Sequence, residues 1–245
     1  MDDLTKLGIQ FSTSNSTIFS TDKAYFHNYT PFYNKFFEKI RYNKINILEI
    51  GLLRGASLRM FKDYFPNAEI YCIDINADFI NKFPKQDRIH IHLCDATDEE
   101  KLNKLFKNIE FDIIIDDGSH FTNHQLSSLG ILFKKVKSQG MYICEDLLYI
   151  DELKRQNTLK TKTIPLEIFE KYNITKNLNI EEISKEKNEY INKNIKDIQI
   201  YKRDVNGYQC HVCCLINNYK YEYCPRCGRD LSPRDLSCTS ILFKK

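Results

Sequence analysis

Ile47-Leu48-Glu49-Ile50-Gly51-Leu52-Leu53-Arg54-Gly55-Ala56 carries an apolar strand into a turn with a glycine at each end and then into a helix. Glycine lets backbone turn sharply and approach a ligand closely. Twenty-three residues after Gly51, Asp74 closes the run Tyr71-Cys72-Ile73-Asp74. From that position a carboxylate accepts hydrogen bonds from ribose hydroxyls, so the spacing points to an adenosine-containing guest. The turn lacks the third glycine of the dinucleotide fingerprint and the Lys-Ser/Thr ending of a phosphate loop, which counts against nicotinamide cofactors and ATP. Asp95, ending His90-Ile91-His92-Leu93-Cys94-Asp95, is a candidate for the adenine edge. From the glycines alone, a tight strand–helix turn with no ligand stays open.

Strand and helix patterns alternate on both sides of this turn. Strands are expected over 45–50, 69–73, 89–93, 111–115 and 141–144, with helices over 56–64, 77–83, 99–106 and 123–136. Such alternation predicts an α/β fold with a doubly wound, mostly parallel sheet built from right-handed βαβ units. Phe32, Tyr33, Phe36, Phe37 and Ile40 fall at helical spacing and predict an amphipathic helix within an N-terminal helical segment, 1–44. The Lys/Asn/Ile-rich stretch 151–198 reads as a loop or lid in its first half and, through Ile180, Ile183, Ile191, Ile195 and Ile198, as a helix in its second. Two late strands, 198–202 and 239–244, complete a main domain of 45–206 plus 235–245, with 207–234 inserted in a hairpin.

The chemistry gathers at two strand ends. Asp117-Gly118-Ser119-His120 follows one apolar run and Glu145-Asp146 follows the next. If those strands are parallel neighbours their tips lie about 4.8 Å apart, so Asp117, Glu145 and Asp146 can converge on one hard cation with His120 beside it. His124 lies one helical turn beyond His120 and is a candidate support. Thr21, Asp22, Lys23, His27 and Tyr33 are candidates to fold over the cofactor or acceptor, although a polar segment leading into a helix explains them equally well.

Composition narrows the classes. A formal charge of +3, from 36 basic and 33 acidic residues, leaves no excess that would mark a nucleic-acid footprint. The N-terminus lacks a basic segment followed by an apolar one, and no apolar run is long enough to span a bilayer; the expectation is a soluble, cytoplasmic protein with no membrane partner. Cys72, Cys94 and Cys144 sit inside apolar strand patterns, where free buried thiols are expected. Cys210-x2-Cys213 and Cys224-x2-Cys227 have the spacing of a tetrahedral Zn²⁺ site, and four thiolates fill its shell, so the zinc is read as structural. A segment of this length cannot bury enough core to fold alone, and metal therefore decides its order. Cys214, beside a ligand, is read as a bystander.

Several ordered blocks together resemble a known family. Thr21-Asp22-Lys23, Glu49-Ile50-Gly51-x3-Gly55-x-Ser57-Leu58, Tyr64-Phe65-Pro66, Ile73-Asp74, Asp116-Asp117-Gly118-Ser119-His120-x3-His124-Gln125 and Glu145-Asp146-Leu147 are similar to the metal-dependent sugar O-methyltransferases of antibiotic pathways, including those of macrolide and aminocoumarin biosynthesis. The resemblance runs from about Thr21 to Leu147. It implies a class I methyltransferase fold, Rossmann-like, that uses S-adenosylmethionine held around Glu49, Gly51, Gly55, Ser57, Asp74, Asp95 and Asp116. It also implies Mg²⁺ (or Mn²⁺) on Asp117, Glu145 and Asp146, and His120 as general base. After Leu147 the aromatic continuation usual in the family gives way to Leu148-Tyr149-Ile150, and the chain has no tryptophan.

The expected activity is methylation of a sugar hydroxyl on a nucleotide-linked, glycan or natural-product acceptor. A sugar hydroxyl is a poor nucleophile near neutral pH, so catalysis must deprotonate and aim it; a cation with open positions and a histidine of ordinary pKa about 6.5 suit both tasks. Two other classes are an RNA methyltransferase targeted by the zinc ribbon and a non-catalytic zinc-ribbon interaction protein. The near-neutral charge counts against the first, and the intact acidic cluster with His120 counts against the second. Homo-oligomerisation is compatible with the ribbon.

Overall fold

The computed structural model describes residues 1–13, 21–25, 27–148, 150–155, 157–202, 208–209, 216–217 and 238–245. Its centre is a seven-stranded sheet. The strands in chain order are β1 Asn46–Ile50, β2 Glu69–Asp74, β3 Ile89–Leu93, β4 Phe111–Asp116, β5 Val136–Leu147 and β6 Ile195–Lys202, then the two-residue β7 Tyr208–Gln209 and β8 Ile216–Asn217, and last β9 Cys238–Lys244. The sheet order is β3-β2-β1-β4-β5-β9-β6, with β7 and β8 paired separately. Strands β1 to β5 pair in parallel, and β9 enters antiparallel between β5 and β6. The order reverses between β1 and β4, which opens a crevice at the carboxyl ends of the strands where open α/β sheets bind ligands.

Helices α1 Asp3–Thr13, α2 Asp22–Tyr25 and α3 Thr30–Phe37 form the N-terminal segment, followed by α4 Ala56–Tyr64, α5 Ala77–Lys82, α6 Glu99–Leu105 and α7 Thr122–Leu132 between the parallel strands. Local chemistry sets several starts. Asn76 caps α5 by accepting from the Asp78 and Phe79 amides, and Asp98 caps α6 by accepting from the Lys101 amide at 3.0 Å. The inner strands β1 and β4 are covered on both faces and read as nearly continuous apolar runs, whereas the edge strand β3 alternates isoleucine with histidine. Leu48, Ile114, Tyr142 and Leu129 belong to one buried layer, and Ile47, Ile113, Phe37 and Phe61 to the other. The aromatic stripe of α3 packs in the second layer as the spacing predicts, with Phe37 5.4 Å from Phe65 and 6.2 Å from Phe61 between ring centres.

The structure departs from the sequence reading after residue 132. The helix expected to reach 136 ends at Leu132, a 3₁₀ turn covers Phe133–Lys135, and β5 begins at Val136, five residues before the expected strand. The stretch read as loop or lid contains α8 Ile150–Arg155 and α9 Pro165–Thr175. Pro165 begins α9, where its missing N–H costs nothing, and Leu166, Ile168, Phe169 and Tyr172 are buried against the core. The later helix, α10 Lys185–Asn194, is shorter than its isoleucine stripe suggests: Ile195 and Ile198 belong to β6. Both are buried, and a register shift between Ile195 and Asp197 adds one residue to the strand. That bulge gives two strand residues a three-residue spacing, which imitates a helical period. The two late strands are present, with β6 starting three residues earlier than expected. Among the described residues, no helix is long and apolar enough to cross a membrane.

Candidate functional site

A cavity of about 550 Å³ opens at the carboxyl ends of the strands, within the size range of small-molecule sites. One wall is the turn after β1. Gly51 has φ +98°, and a Cβ there would lie 2.3 Å from the carbonyl oxygen of Asp117. The first glycine is therefore required by the approach of another strand end, a reason different from the ligand approach expected from sequence. Gly55, at φ +68°, precedes α4, and a Cβ on it would meet the Phe83 ring. Both oxygens of Asp74 organise the rim of this turn: Oδ2 accepts from the Leu52 amide and Oδ1 from the Asn76 amide, each at 2.7 Å. A carboxylate oxygen carries two lone pairs, so capacity remains for ribose hydroxyls. Asp95 also lines the cavity, with its Oδ1 accepting from the Thr97 amide and hydroxyl at 2.8 Å.

Glu49 and Ser57 form a pair across the same turn, with Ser57 Oγ donating to Glu49 Oε2 at 2.8 Å. Glu49 is fully buried, and that burial pushes its carboxyl up to about 7. Asp116 lines the cavity, but its Oδ2 accepts hydrogen bonds from Ser128 and, at 3.1 Å, from Tyr142. Part of its carboxylate is thus committed to the core beneath the site.

The opposite wall is acidic. Asp117 follows the end of β4, Asp146 lies near the end of β5, and His120 precedes α7; their ligand atoms all fall within 4.8 Å of one another. The register Asp116↔Cys144 brings the two strand ends together. His120 and Asp146 both have left-handed backbone, φ +57° and +50°. Such conformations cost non-glycine residues about 1–3 kcal/mol and cluster at functional sites. His120 Nε2 stands 3.6 Å from Asp146 Oδ2, and His120 Nδ1 is buried with no hydrogen-bond partner among the described residues. Two carboxylates and an imidazole at this separation suit a divalent cation with oxygen preference.

Glu145 is oriented differently from its two acidic companions. Its Oε1 accepts from Tyr33 Oη at 2.9 Å and its Oε2 from Lys23 Nζ at 2.7 Å. The same ammonium donates to Asp117 Oδ2 and lies 3.5 Å from Glu49 Oε1. Lys23 is 1 % exposed. Burial alone pulls its pKa down, yet Asp117, Glu145 and Glu49 together push it well above the ordinary lysine value. Burial in turn raises the carboxyls of both Asp117 and Glu145. One cation bridging Asp117 and Glu145 marks these carboxylates as convergent, so the third expected ligand is joined to the other two through Lys23.

The N-terminal segment does fold over the site. His27 is buried with Nδ1 3.6 Å from Asp146 Oδ1 and Nε2 3.4 Å from Asp22 Oδ2. Burial disfavours its charged form, but Asp146 and then Asp22 outweigh this and hold its pKa up at about 9. Tyr33 is fully buried and supports Glu145 from the core side. His124 accepts or donates through Nδ1 with Ser119 Oγ at 2.8 Å and lines the cavity. The sequence reading missed Tyr29, whose hydroxyl donates to Asp146 Oδ1 at 3.0 Å, and Gln125, whose Nε2 donates to the Glu145 carbonyl at 2.9 Å. Gln125 follows His124 within the DDGSH block, a usable signal; Tyr29 has none beyond its place after His27. Cys72, Cys94 and Cys144 are free and buried, as expected. The proposed zinc ligands Cys210, Cys213, Cys224 and Cys227, and neighbouring Cys214, lie outside the described residues.

Residues 32–178 match the model of a family described as FtsJ-like methyltransferase. Mycinamicin VI 2''-O-methyltransferase of Micromonospora griseorubida is 34% identical over 145 residues, covering 56% of this chain and 35% of that protein. Demethylmacrocin O-methyltransferase of Streptomyces fradiae is 36% identical over 129 residues, covering 49% of this chain and 32% of that protein. The matched part thus spans about a third of these relatives' length. The solved structure of MycE methyltransferase from the mycinamycin biosynthetic pathway, in complex with Mg and SAH, superposes with a TM-score of 0.65 at 22% identity, covering 99% of this chain and 55% of that one. The likeness establishes the class I methyltransferase fold.

Proposed function

The chain belongs to the FtsJ-like methyltransferase family, and we propose that it is an S-adenosylmethionine-dependent O-methyltransferase acting on a hydroxyl of a sugar-containing natural product, nucleotide-linked sugar or glycan. The observation that carries this reading is the placement of Asp117, His120 and Asp146 on one wall of the cavity whose other wall is the Gly51–Asp74 turn. A methyl donor and a cation-held acceptor can therefore meet in one enclosure. Both curated relatives named above are O-methyltransferases, and the MycE complex contains Mg and SAH, which supports the choice of donor and metal.

In this reading Asp74 binds the ribose, Asp95 the adenine side, and the Gly51–Gly55 turn the rest of the donor, with Glu49, Ser57 and Asp116 holding that turn and the floor beneath it. S-adenosylmethionine, when bound, supplies a methyl already activated on a sulfonium. Asp117 and Asp146 would hold Mg²⁺ or Mn²⁺, with Glu145 as the third carboxylate of the cluster; the ion, when bound, would lower the pKa of an acceptor hydroxyl. His120 takes the hydroxyl proton on Nε2, the nitrogen on the Asp146 side. The O–CH₃ bond then forms as the S–CH₃ bond breaks, a displacement that depends on alignment more than on covalent help from the protein. Tyr29 and His27 fix the Asp146 carboxylate, and Tyr33 fixes Glu145. His124 steadies Ser119 in the His120 loop. The paired Cys-x2-Cys spacing supports a structural Zn²⁺ ribbon appended to this domain.

The test is incubation with labelled S-adenosylmethionine, Mg²⁺ and a panel of activated sugars and glycosylated natural products, read by mass increase. Transfer to a sugar hydroxyl that stops with EDTA and falls about 10²–10⁴-fold in His120→Ala is expected. Transfer undiminished in metal-free buffer, or to RNA but to no sugar, would refute the proposal.

A further inference from the structure

Two features of the acidic cluster remain unexplained by the methyl-transfer reading. The first is that a lysine, fully enclosed, lies among the residues expected to bind a metal: Lys23 Nζ donates to Asp117 and, at 2.7 Å, to Glu145. The second is that Glu49 Oε1, also fully buried, has no hydrogen-bond partner among the described residues, while its other oxygen accepts from Ser57. Buried acceptors are nearly always satisfied, so an orphan at a functional site calls for a cause. The same Lys23 Nζ stands 3.5 Å from that orphan atom, just beyond ordinary N–H···O distance.

Resting on the reading that this cluster binds a divalent cation, we propose that Lys23 is a two-position counter-ion: it bridges Asp117 and Glu145, and moves onto Glu49 Oε1 when a divalent cation takes those carboxylates. The electrostatics force a choice. A divalent ion sharing Asp117 with an ammonium repels it strongly, because both positive charges compete for the same oxygen at contact distance. Expulsion of Lys23 to solvent is the worse alternative, since it strips the buried Glu49 of the ammonium beside it and leaves that carboxylate without compensation from any ion pair among the described residues. Glu49 offers a closer destination. Rotation of the lysine tip that closes the 3.5 Å separation to hydrogen-bond length satisfies the orphan oxygen, and it must also carry Nζ out of contact with Asp117. Glu49 also holds Ser57 at the start of α4, beside the donor turn. Metal uptake is thereby linked to the donor wall through one side chain. Lys23 is a positioning residue on this account and touches neither substrate.

The experiment is an Mn²⁺ titration of the full chain, followed by electron paramagnetic resonance of the free ion, for wild type, Lys23→Met and Glu49→Gln. Removing the competing charge in Lys23→Met is expected to tighten Mn²⁺ binding by about tenfold or more. Removing the receiving charge in Glu49→Gln is expected to weaken it by about tenfold, although Glu49 holds no metal. A crystal structure of the wild type with Mn²⁺ should place Lys23 Nζ in hydrogen-bond contact with Glu49 and off Asp117. Equal or weaker Mn²⁺ binding by a folded Lys23→Met overturns the inference. Should that variant fail to fold, the Glu49→Gln titration and the Mn²⁺ structure decide, and an ammonium still seated between Asp117 and Glu145 overturns it. Wild type that takes up no Mn²⁺ overturns the metal reading itself, and this inference with it.

Discussion

Gly51→Ala tests whether the donor turn and the acidic wall are one mechanical unit. The added Cβ would sit 2.3 Å from the Asp117 carbonyl oxygen, where real contacts begin at 3.0 Å or more, so backbone must shift by roughly 1 Å. The φ of +98° adds a conformational cost of about 1–2 kcal/mol for any L residue. Overpacking against backbone, which has no rotamer to escape into, adds about 1–3 kcal/mol. The sum, about 2–5 kcal/mol, corresponds to a melting temperature lowered by about 5–15 °C for a chain of this size. The displaced group belongs to Asp117, whose amide also donates to the Ile50 carbonyl at 3.1 Å, so the movement reaches a proposed metal ligand directly. Mn²⁺ affinity should therefore fall with stability, by about tenfold, while Gly55→Ala, whose Cβ meets side-chain atoms of Phe83 and Leu52 and no part of Asp117, should leave it within about twofold. Calorimetric melting and Mn²⁺ titration of both variants measure these effects. A Gly51→Ala protein that melts within about 1 °C of wild type and binds Mn²⁺ normally would refute the reasoning.

Tyr33→Phe removes a fully buried hydroxyl that donates to Glu145 or pairs with Thr239, each at 2.9 Å, and should cost about 1–3 kcal/mol of stability in urea unfolding; an unchanged midpoint would show that Glu145 does not depend on it. Cys224→Ser should release zinc and loosen residues 207–232 to proteolysis while leaving SAH affinity intact. One zinc per chain by elemental analysis is the starting requirement, and its absence, or disulfides among Cys210, Cys213, Cys224 and Cys227, would reject the ribbon.

The regular half of this fold was written in local pattern. Residues 45–116 alternate strands with helices, and the inner strands β1 and β4, covered on both faces, carry mostly apolar residues that the sequence pattern alone can register, whereas the edge strand β3 alternates isoleucine with histidine. The same holds for the acidic residues at the ends of β4 and β5: their order along the chain places them at neighbouring tips once the sheet is parallel. What the chain beyond residue 132 does was decided by long-range pairing. β9 inserts between β5 and β6, and the bulge at Ile195–Asp197 satisfies that pairing while giving the isoleucines a helix-like spacing. Sequence also determined which residue types stand at the site, since Glu49, Asp74, Asp117, His120, Glu145 and Asp146 all come to the cluster or line its cavity. Only the tertiary structure decided how their charges are shared. Lys23 is 94 residues from Asp117 and 122 from Glu145, and no local periodicity encodes so distant an ion pair. It arises because the buried carboxylates of Glu49 on β1 and Glu145 on β5, with Asp117 just past β4, require a counter-charge, and the folded N-terminal segment brings one to them.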